Sequence, residues 1–476
     1  MLDKYIDELR DSIVQETCNI INIPSVSEET GNPEMPFGEG CKKVLDYVLD
    51  LGNKLGFRTK NIDNYCGYIE FGEGENLVGI IGHLDVVPSG DGWNTPPFEA
   101  NIISGNIYGR GAIDDKGPVI SALYAMKAIN DNLKIHSRVR LILGVNEEKD
   151  WKCIKHYKEK EEFPTIGFSP DANFPCIYAE KGILTIHIKE DYSKYANSPI
   201  QITSIDCKNN AINVVPKYCE VNLKIDDEKL KSAECIHFIN ETIHELNFDI
   251  SINANSNGIN IISRGVQAHS AHPELGTNAI SQMLILLNRI YKHFNVNISI
   301  LDFFEKNIAM EHNGHSLGID LSDESGALTL NVGHFKFVED SNNELQVSLN
   351  LRIPVNTPID SIIEKISSVC SEYGLETVTG GRQEPLYVPK DDFLVKTLTD
   401  IFNKATNSNL EPIPIGGGTY ARAFDNCVSF GANFPGDTDM CHQANEFINI
   451  DKLILSCKIY AEAILELGDV RQKFHF

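Results

Sequence analysis

The sequence predicts an α/β fold: a discontinuous domain whose mixed sheet is flanked by helices, with an α+β domain inserted into it. Three features lead there. Helical and strand-like hydrophobic periods alternate through roughly the first 180 residues, strand-like alternation takes over for about the next 200, and helical periodicity returns after Pro389.

In chain order, apolar residues recur at helical spacing at about residues 3 to 20, 40 to 55 and 118 to 132, and short apolar strand patterns fall near 66 to 72, 77 to 82, 138 to 145 and 165 to 168. From Ile183 onward "ILTIHIKE", "YCEVNLKID", "ALTLNVGHFKFVE" and "ELQVSLNLRIP" alternate with the two-residue period of strands. Helical patterns accompany them at about 277 to 293 and 358 to 373. The turn-rich "TGGRQEPLYVP" closes the region, and "DDFLVKTLTDIFNKAT" and "DKLILSCKIYAEAILEL" restore the helical period. The expected domains are therefore 1–182 with 386–476, and 183–385; 476 residues exceed one ordinary core.

Composition narrows the partners. With 42 basic and 67 acidic residues the formal charge is −25, which repels nucleic-acid phosphates and anionic lipid surfaces. No uninterrupted apolar run is long enough to span a bilayer, and the acidic, amphipathic N-terminus is unlike a signal peptide. The 12 cysteines are scattered without a C-x-x-C pair, as in a reduced cytoplasmic protein. A small molecule or peptide is the expected substrate.

The chemistry gathers where strands end. In "VGIIGHLDVVPSG", His83 and Asp85 are two apart at a strand end and so project to the same side; taken alone, the pair reads first as a core histidine bonded to a carboxylate. Glu147 and Glu148 follow "RVRLILGV", and Asp171 follows "PTIGFSP". In open α/β sheets ligands bind beyond the carboxyl ends of strands, so these residues can converge. "GRGAIDDKGP" adds Asp114 and Asp115 before a helix opening near Pro118, and "DMCHQANEF" places His442 before the last helix. Imidazoles and carboxylates without thiolate suit Zn²⁺, Mn²⁺ or Co²⁺ in an open site, and several acids around two histidines suit two metals. Asp115 reads best as a solvated or helix-capping acid.

In this order, "GHLDVVPSGDGW", "GRGAIDDKGP", "NEEKDW", "FSPDANFP", "GVQAHSAHPELGTNA" and "HQANEF" resemble the co-catalytic zinc metallopeptidases that include aminoacylase, carboxypeptidase G and succinyl-diaminopimelate desuccinylase. "DDKGP", "EEKDWKC", "AEKGI" and "GGGTYAR" are most similar to the bacterial dipeptidase V branch, with its Xaa-His dipeptidase and carnosinase-like members. The resemblance implies that His83 and Asp171 hold one metal, Glu148 and His442 the other, and Asp114 both, leaving room for a bridging water. It implies that Glu147 is the general acid/base and that Asp85 orients His83. The inserted domain becomes a lid. The resemblance further implies that the lid's His269, chosen over His272 by register, stabilises the oxyanion, that Arg352 grips the substrate carboxylate, unless it forms a strand-end salt bridge, and that Asn213 helps bind the reacting carbonyl. Gly417 and Gly418 offer backbone amides to the substrate, or simply form a tight turn.

The implied activity is metal-dependent hydrolysis of unblocked dipeptides. The alternatives are a deacylase acting on N-acyl amino acids or succinyl-diaminopimelate, and a non-catalytic metal- or peptide-binding protein. A lid longer than in dimeric relatives points to a monomer, with a homodimer left open. Asn146 departs from the resemblance by replacing an Asp before the glutamate pair. "HNGH" (His312, His315) lacks companion acids and reads as a surface loop; His-Glu-x-x-His does not occur.

Overall fold

The computed structural model describes residues 2–208, 211–225, 233–255, 258–338 and 343–468. The chain divides into two compact units, Met1–Ala179 with Leu386–Phe476, and Glu180–Pro385.

A mixed sheet runs through the first unit in the order Arg58–Ile62, Cys66–Phe71, Arg138–Gly144, Leu77–His83, Ile166–Ser169, Cys427–Ser429, Ile177–Glu180 and Leu386–Tyr387, with Ile413–Ile415 also paired to Ile177–Glu180. Leu77–His83 is parallel to both neighbours and is buried throughout. A strand covered on both faces has no solvent side to mark with polar residues, hence its continuous apolar run. The covering helices carry the spacing read from the sequence. Glu39–Lys54 buries Cys41, Val44, Leu45, Val48 and Leu49, while Lys116–Asn132 packs against Ile450–Gly468 and is buried over most of its length. The helix expected over 3 to 20 is divided at Leu9 into Leu2–Glu8 and Arg10–Ile21.

Among the described residues the second unit holds two four-stranded antiparallel sheets, besides the two-residue pairing of Ser322–Asp323 with Gly326–Ala327. One is ordered Thr329–Phe337, Glu344–Ile353, Gly182–Asp191, Glu376–Gln383, and the other Ile200–Asp206, Tyr218–Ile225, Gly258–Arg264, Ile250–Asn255. Gly182–Asp191 turns Leu184, Ile186 and Ile188 into a core shared with Val221 and Leu223 and with Met283, Leu284 and Leu287 of the helix Ala279–His293. The alternating pattern therefore marks one buried face. The ends of two expected strands, at 226 and 339, lie outside the described residues. Among the described residues no helix is long and apolar enough to cross a membrane, and the cysteines are free thiols.

Candidate active site

The strand Leu77–His83 ends at His83, where Leu84 donates its amide to Gly144 O at 2.9 Å and the chain leaves the sheet. Asp85 is therefore not on the strand, and the expected shared face does not exist. The ring of His83 instead bonds through Nδ1 to the backbone carbonyl of Asp85 at 2.9 Å, with the Asp85 carboxylate at 3.6 Å. That carboxylate receives the amides of Glu147 and Glu148 at 3.0 and 3.1 Å. Asp85 thus fixes the glutamate pair through its side chain and His83 through its main chain. Glu147 and Glu148 lie in a turn beyond Arg138–Gly144, held there by their two amide bonds to Asp85.

Two groups of donor atoms result. His83, Asp114 and Asp171 form one, Asp114, Glu148 and His442 the other, and within each the ligand-type atoms lie within 4.8 Å of one another. His83 Nε2 is 3.0 Å from Asp114 Oδ1 and 3.6 Å from Asp171 Oδ2. His442 Nε2 is 3.1 Å from both Asp114 Oδ2 and Glu148 Oε2. Asp114 therefore turns one oxygen toward each histidine. Neither group contains a thiol, and carboxylates outnumber imidazoles, a donor set that fits divalent cations.

A second carboxylate shapes the loop that presents Asp114. Glu446, fully buried, accepts the backbone amides of Gly111, Ile113 and Asp114 at 3.0, 2.9 and 3.2 Å and pairs with the buried Arg110 at 2.7 Å. Arg110 also donates to the carbonyl of His442 at 3.4 Å, which ties the loops carrying Asp114 and His442 together. Lys116 is committed elsewhere, to Ile20 O and Ile23 O at 3.0 and 2.8 Å. Asp115 is neither solvated nor a side-chain cap. It is fully buried and accepts the His83 amide at 3.1 Å. A Cβ on Gly82 would meet its Oδ2 at 2.7 Å, so that bond requires glycine there. Asn146 lends both ends of its amide to structure, donating to Ser27 Oγ and accepting from Lys152 N, each at 3.0 Å.

The "GGGTYAR" loop bends into the short helix Tyr420–Ala423, with Gly417 O accepting from Arg422 at 2.8 Å and Thr419 capping Ala421 N at 3.1 Å. It delivers Tyr420, a residue the sequence did not flag. The buried Tyr420 ring meets His83 edge-on at 6.2 Å between centroids and lies over Gly144, where a Cβ would be 2.5 Å away.

In the second unit Asn213, His269 and Arg352 meet around Ser270. The Ser270 amide donates to Asn213 O at 2.9 Å, its carbonyl accepts from Thr329 Oγ1 at 3.0 Å, and its hydroxyl receives Arg352 Nη2 at 3.0 Å and donates to Asn350 Oδ1 at 2.9 Å. Ser270 is fully buried and Arg352 nearly so. His269 Nδ1 accepts the Ala271 amide at 3.2 Å, which keeps a proton on Nε2. His272 is exposed, 3.4 Å from Glu274. The motif that carries His269 contains Ser270 without marking it, because a serine gains this role only from partners distant in the chain.

The family model described as peptidase family M20/M25/M40 matches residues 79–466. The chain belongs to this family. It is 37% identical over 465 residues to the Bacillus subtilis protein named Putative dipeptidase YtjP, covering 96% of this chain and 98% of that one. Among solved structures it is similar to human carnosine dipeptidase 1, with a TM-score of 0.58, 17% identity and coverage of 98% and 99%. It is also similar to the Bacillus subtilis YXEP protein, titled a dinuclear metal binding peptidase, with a TM-score of 0.51, 10% identity and coverage of 98% and 100%. As a member of M20/M25/M40 the protein is a hydrolase acting on peptide bonds.

In this M20/M25/M40 peptidase, burial pushes Glu147 and Asp171 well above the usual carboxylate range, with neighbouring carboxylates adding to the effect. Burial would lower His83, but hydrogen bonds to Asp114 and Asp85 and the charge of Asp171 raise it well above an ordinary imidazole. Burial also opposes His442, which Asp114 and Glu148 raise to about 11. Asp114 itself is raised by burial but carried below the carboxylate range by His442 and His83.

Proposed function

We propose that the protein is a metal-dependent dipeptidase that cleaves the peptide bond of unblocked dipeptides. His83 and Asp171 hold one divalent cation, Glu148 and His442 a second, and Asp114 both; Zn²⁺ is the first choice, with Mn²⁺ and Co²⁺ as substitutes. The observation that carries this reading is the pair of three-residue donor groups sharing the two oxygens of Asp114. Similarity along nearly the whole chain to the Bacillus subtilis Putative dipeptidase YtjP, and a structural neighbour described as a dinuclear metal binding peptidase, support it. When bound, the cations supply Lewis-acid polarisation of the scissile carbonyl and a lowered pKa for water.

The chain's own residues do the rest. Glu147 is the general acid/base: it takes a proton from the attacking water and returns it to the leaving nitrogen. Asp85 keeps Glu147 and Glu148 in register by their amides. His269 donates a hydrogen bond from Nε2–H to the carbonyl oxygen as negative charge develops there, and Asn213 assists at the same carbonyl. Arg352 binds the free carboxylate, for which a planar guanidinium is suited. Gly417 and Gly418 present backbone to the substrate. Residues 1–182 with 386–476 then serve as the catalytic domain and 183–385 as the lid, in a monomer of the reducing cytoplasm.

The deciding assay strips the protein of metal and offers it unblocked and N-acylated dipeptides after restoring Zn²⁺, Mn²⁺ or Co²⁺ separately. Hydrolysis of the unblocked dipeptides is expected to return with at least one metal. Preference for the N-acylated series would make the protein a deacylase, and no hydrolysis with any metal would refute the reading.

A further inference from the structure

Cys207 and Cys219 lie outside the site described so far, in the second unit. The strands Ile200–Asp206 and Tyr218–Ile225 are antiparallel, with Asp206 opposite Glu220 at the end of their ladder. One step further out, the same register sets Cys207 opposite Cys219. Directly opposed residues on neighbouring antiparallel strands have Cα atoms about 4.5–5.5 Å apart, inside the range of disulfides, and point to the same face. Here the two sulfurs are 3.5 Å apart, in contact as thiols. Cys219 is fully buried, whereas Cys207 is half-buried and also 3.5 Å from Phe335 O.

We propose that Cys207 and Cys219 form a reversible disulfide, made by peroxide and broken by dithiol reductants. The less buried member reacts first. The Cys207 thiolate attacks one peroxide oxygen, the O–O bond breaks, and Cys207 becomes a sulfenic acid with release of hydroxide. The Cys219 sulfur then displaces the sulfenic hydroxyl, giving up its own proton, and water leaves as the S–S bond forms. Two thiols lose two electrons and two protons to one peroxide, which ends as two waters. Burial raises the Cys219 thiol well above its ordinary range, so it serves as the resolving partner, not as the first to react. A dithiol reverses the step by exchange, taking up the disulfide itself.

The cross-link has a defined place in the fold. It closes the segment between the two cysteines, which carries Asn213 and is stitched to the His269 segment by the bonds from Ser270 N to Asn213 O at 2.9 Å and from Val215 N to Ala268 O at 2.8 Å. Oxidation braces the base of that segment. The chemistry is independent of the dipeptidase reading, since it depends only on the two thiols.

The test exposes the folded full-length protein to hydrogen peroxide, blocks remaining thiols, digests it and identifies linked peptides by mass spectrometry. A Cys207–Cys219 linkage is expected, lost on treatment with dithiothreitol and absent from Cys207→Ser, whose thermal melt should match wild type. In native hydrogen exchange, oxidation should slow amides within 211–217 in wild type and leave Cys207→Ser unchanged. Oxidation that stops at a Cys207 sulfenic, sulfinic or mixed-disulfide product, or that links Cys207 to a different cysteine, would overturn the proposal.

Discussion

Asp114 and Ser270 each anchor a buried polar cluster, but the two clusters are balanced differently. Around Ser270 the amide, the carbonyl and the hydroxyl are all engaged, by Asn213, Thr329, Arg352 and Asn350, and the charged group on the hydroxyl is the Arg352 guanidinium. Around Asp114 carboxylates crowd together with only two imidazoles among them, and burial drives Glu147 and Asp171 toward their protonated forms. Unpaired buried charge is expensive unless something compensates it. A cluster satisfied by protein hydrogen bonds positions groups; a cluster left with excess negative charge is built to receive cations.

The contrast breaks first at Glu147, which the reading keeps out of the ligand set. Glu147→Gln should cut kcat on the order of 10²–10⁴-fold, the usual worth of a general base, with bound metal unchanged by elemental analysis. Loss of metal in this variant would make Glu147 a ligand and reverse the assignment.

Metal removal is the next largest effect. At saturating metal the gain in stability should be about 3–4 kcal/mol, as for a ligand at ~100–1,000 times its Kd. It should also grow with pH. Glu147, Asp171, His83 and His442 all have folded pKa values raised above their unfolded ones. After chelation, the stability each contributes is full below its unfolded pKa and is lost as pH rises through its folded pKa. Asp114 has the opposite sign, and its loss comes only in acid. Calorimetry of loaded and stripped protein should therefore show a Tm gap that is wider near pH 8 than near pH 6; a gap that narrows would mean that these groups do not compete with metal for their protons.

Arg352→Lys probes the other cluster. Replacing a fork by a point charge should lower kcat/KM about 10–100-fold for dipeptides with a free carboxylate, the worth of a charged hydrogen bond. Dipeptide amides should lose little, and an equal loss on both substrates would remove Arg352 from carboxylate binding. The smallest effect belongs to Ser270→Ala, which leaves Arg352 and Asn350 short of a partner. A cost of about 1–3 kcal/mol in a thermal melt is expected, with metal content intact. An unshifted melt would show that the shared hydroxyl holds nothing.

Helices and strands with strong periods were legible in the sequence. The expected strand patterns near 66, 77, 138 and 165 correspond to Cys66–Phe71, Leu77–His83, Arg138–Gly144 and Ile166–Ser169. Lys152–Lys160, Ala233–Leu246 and Ser299–Asn307 were not read as helices. Lys152–Lys160 is mostly charged and buries only Cys153, Ile154 and Tyr157, too few to set a period. Within the site, acids and imidazoles announced themselves by type and by their place after apolar runs. Tyr420, Ser270 and the Arg110–Glu446 pair did not, since each gains its role from a contact far along the chain. Asp85 is legible as a neighbour of His83, but its bonds to the amides of Glu147 and Glu148 are not, because where the strand stops cannot be read to the residue.

Glu446 grips its loop by main-chain hydrogens, and this has a consequence for sequence variation. The amides of Gly111 and Ile113 serve it, while the Ile113 side chain does not. In a saturation library Ile113 should accept many replacements that keep an N–H, with proline the exception, whereas Glu446 should accept almost none. The path of the chain into Asp114 is thus written 333 positions downstream of Ile113, and a graft of this site onto another scaffold that copied the loop without its distant carboxylate would carry the letters and lose the shape.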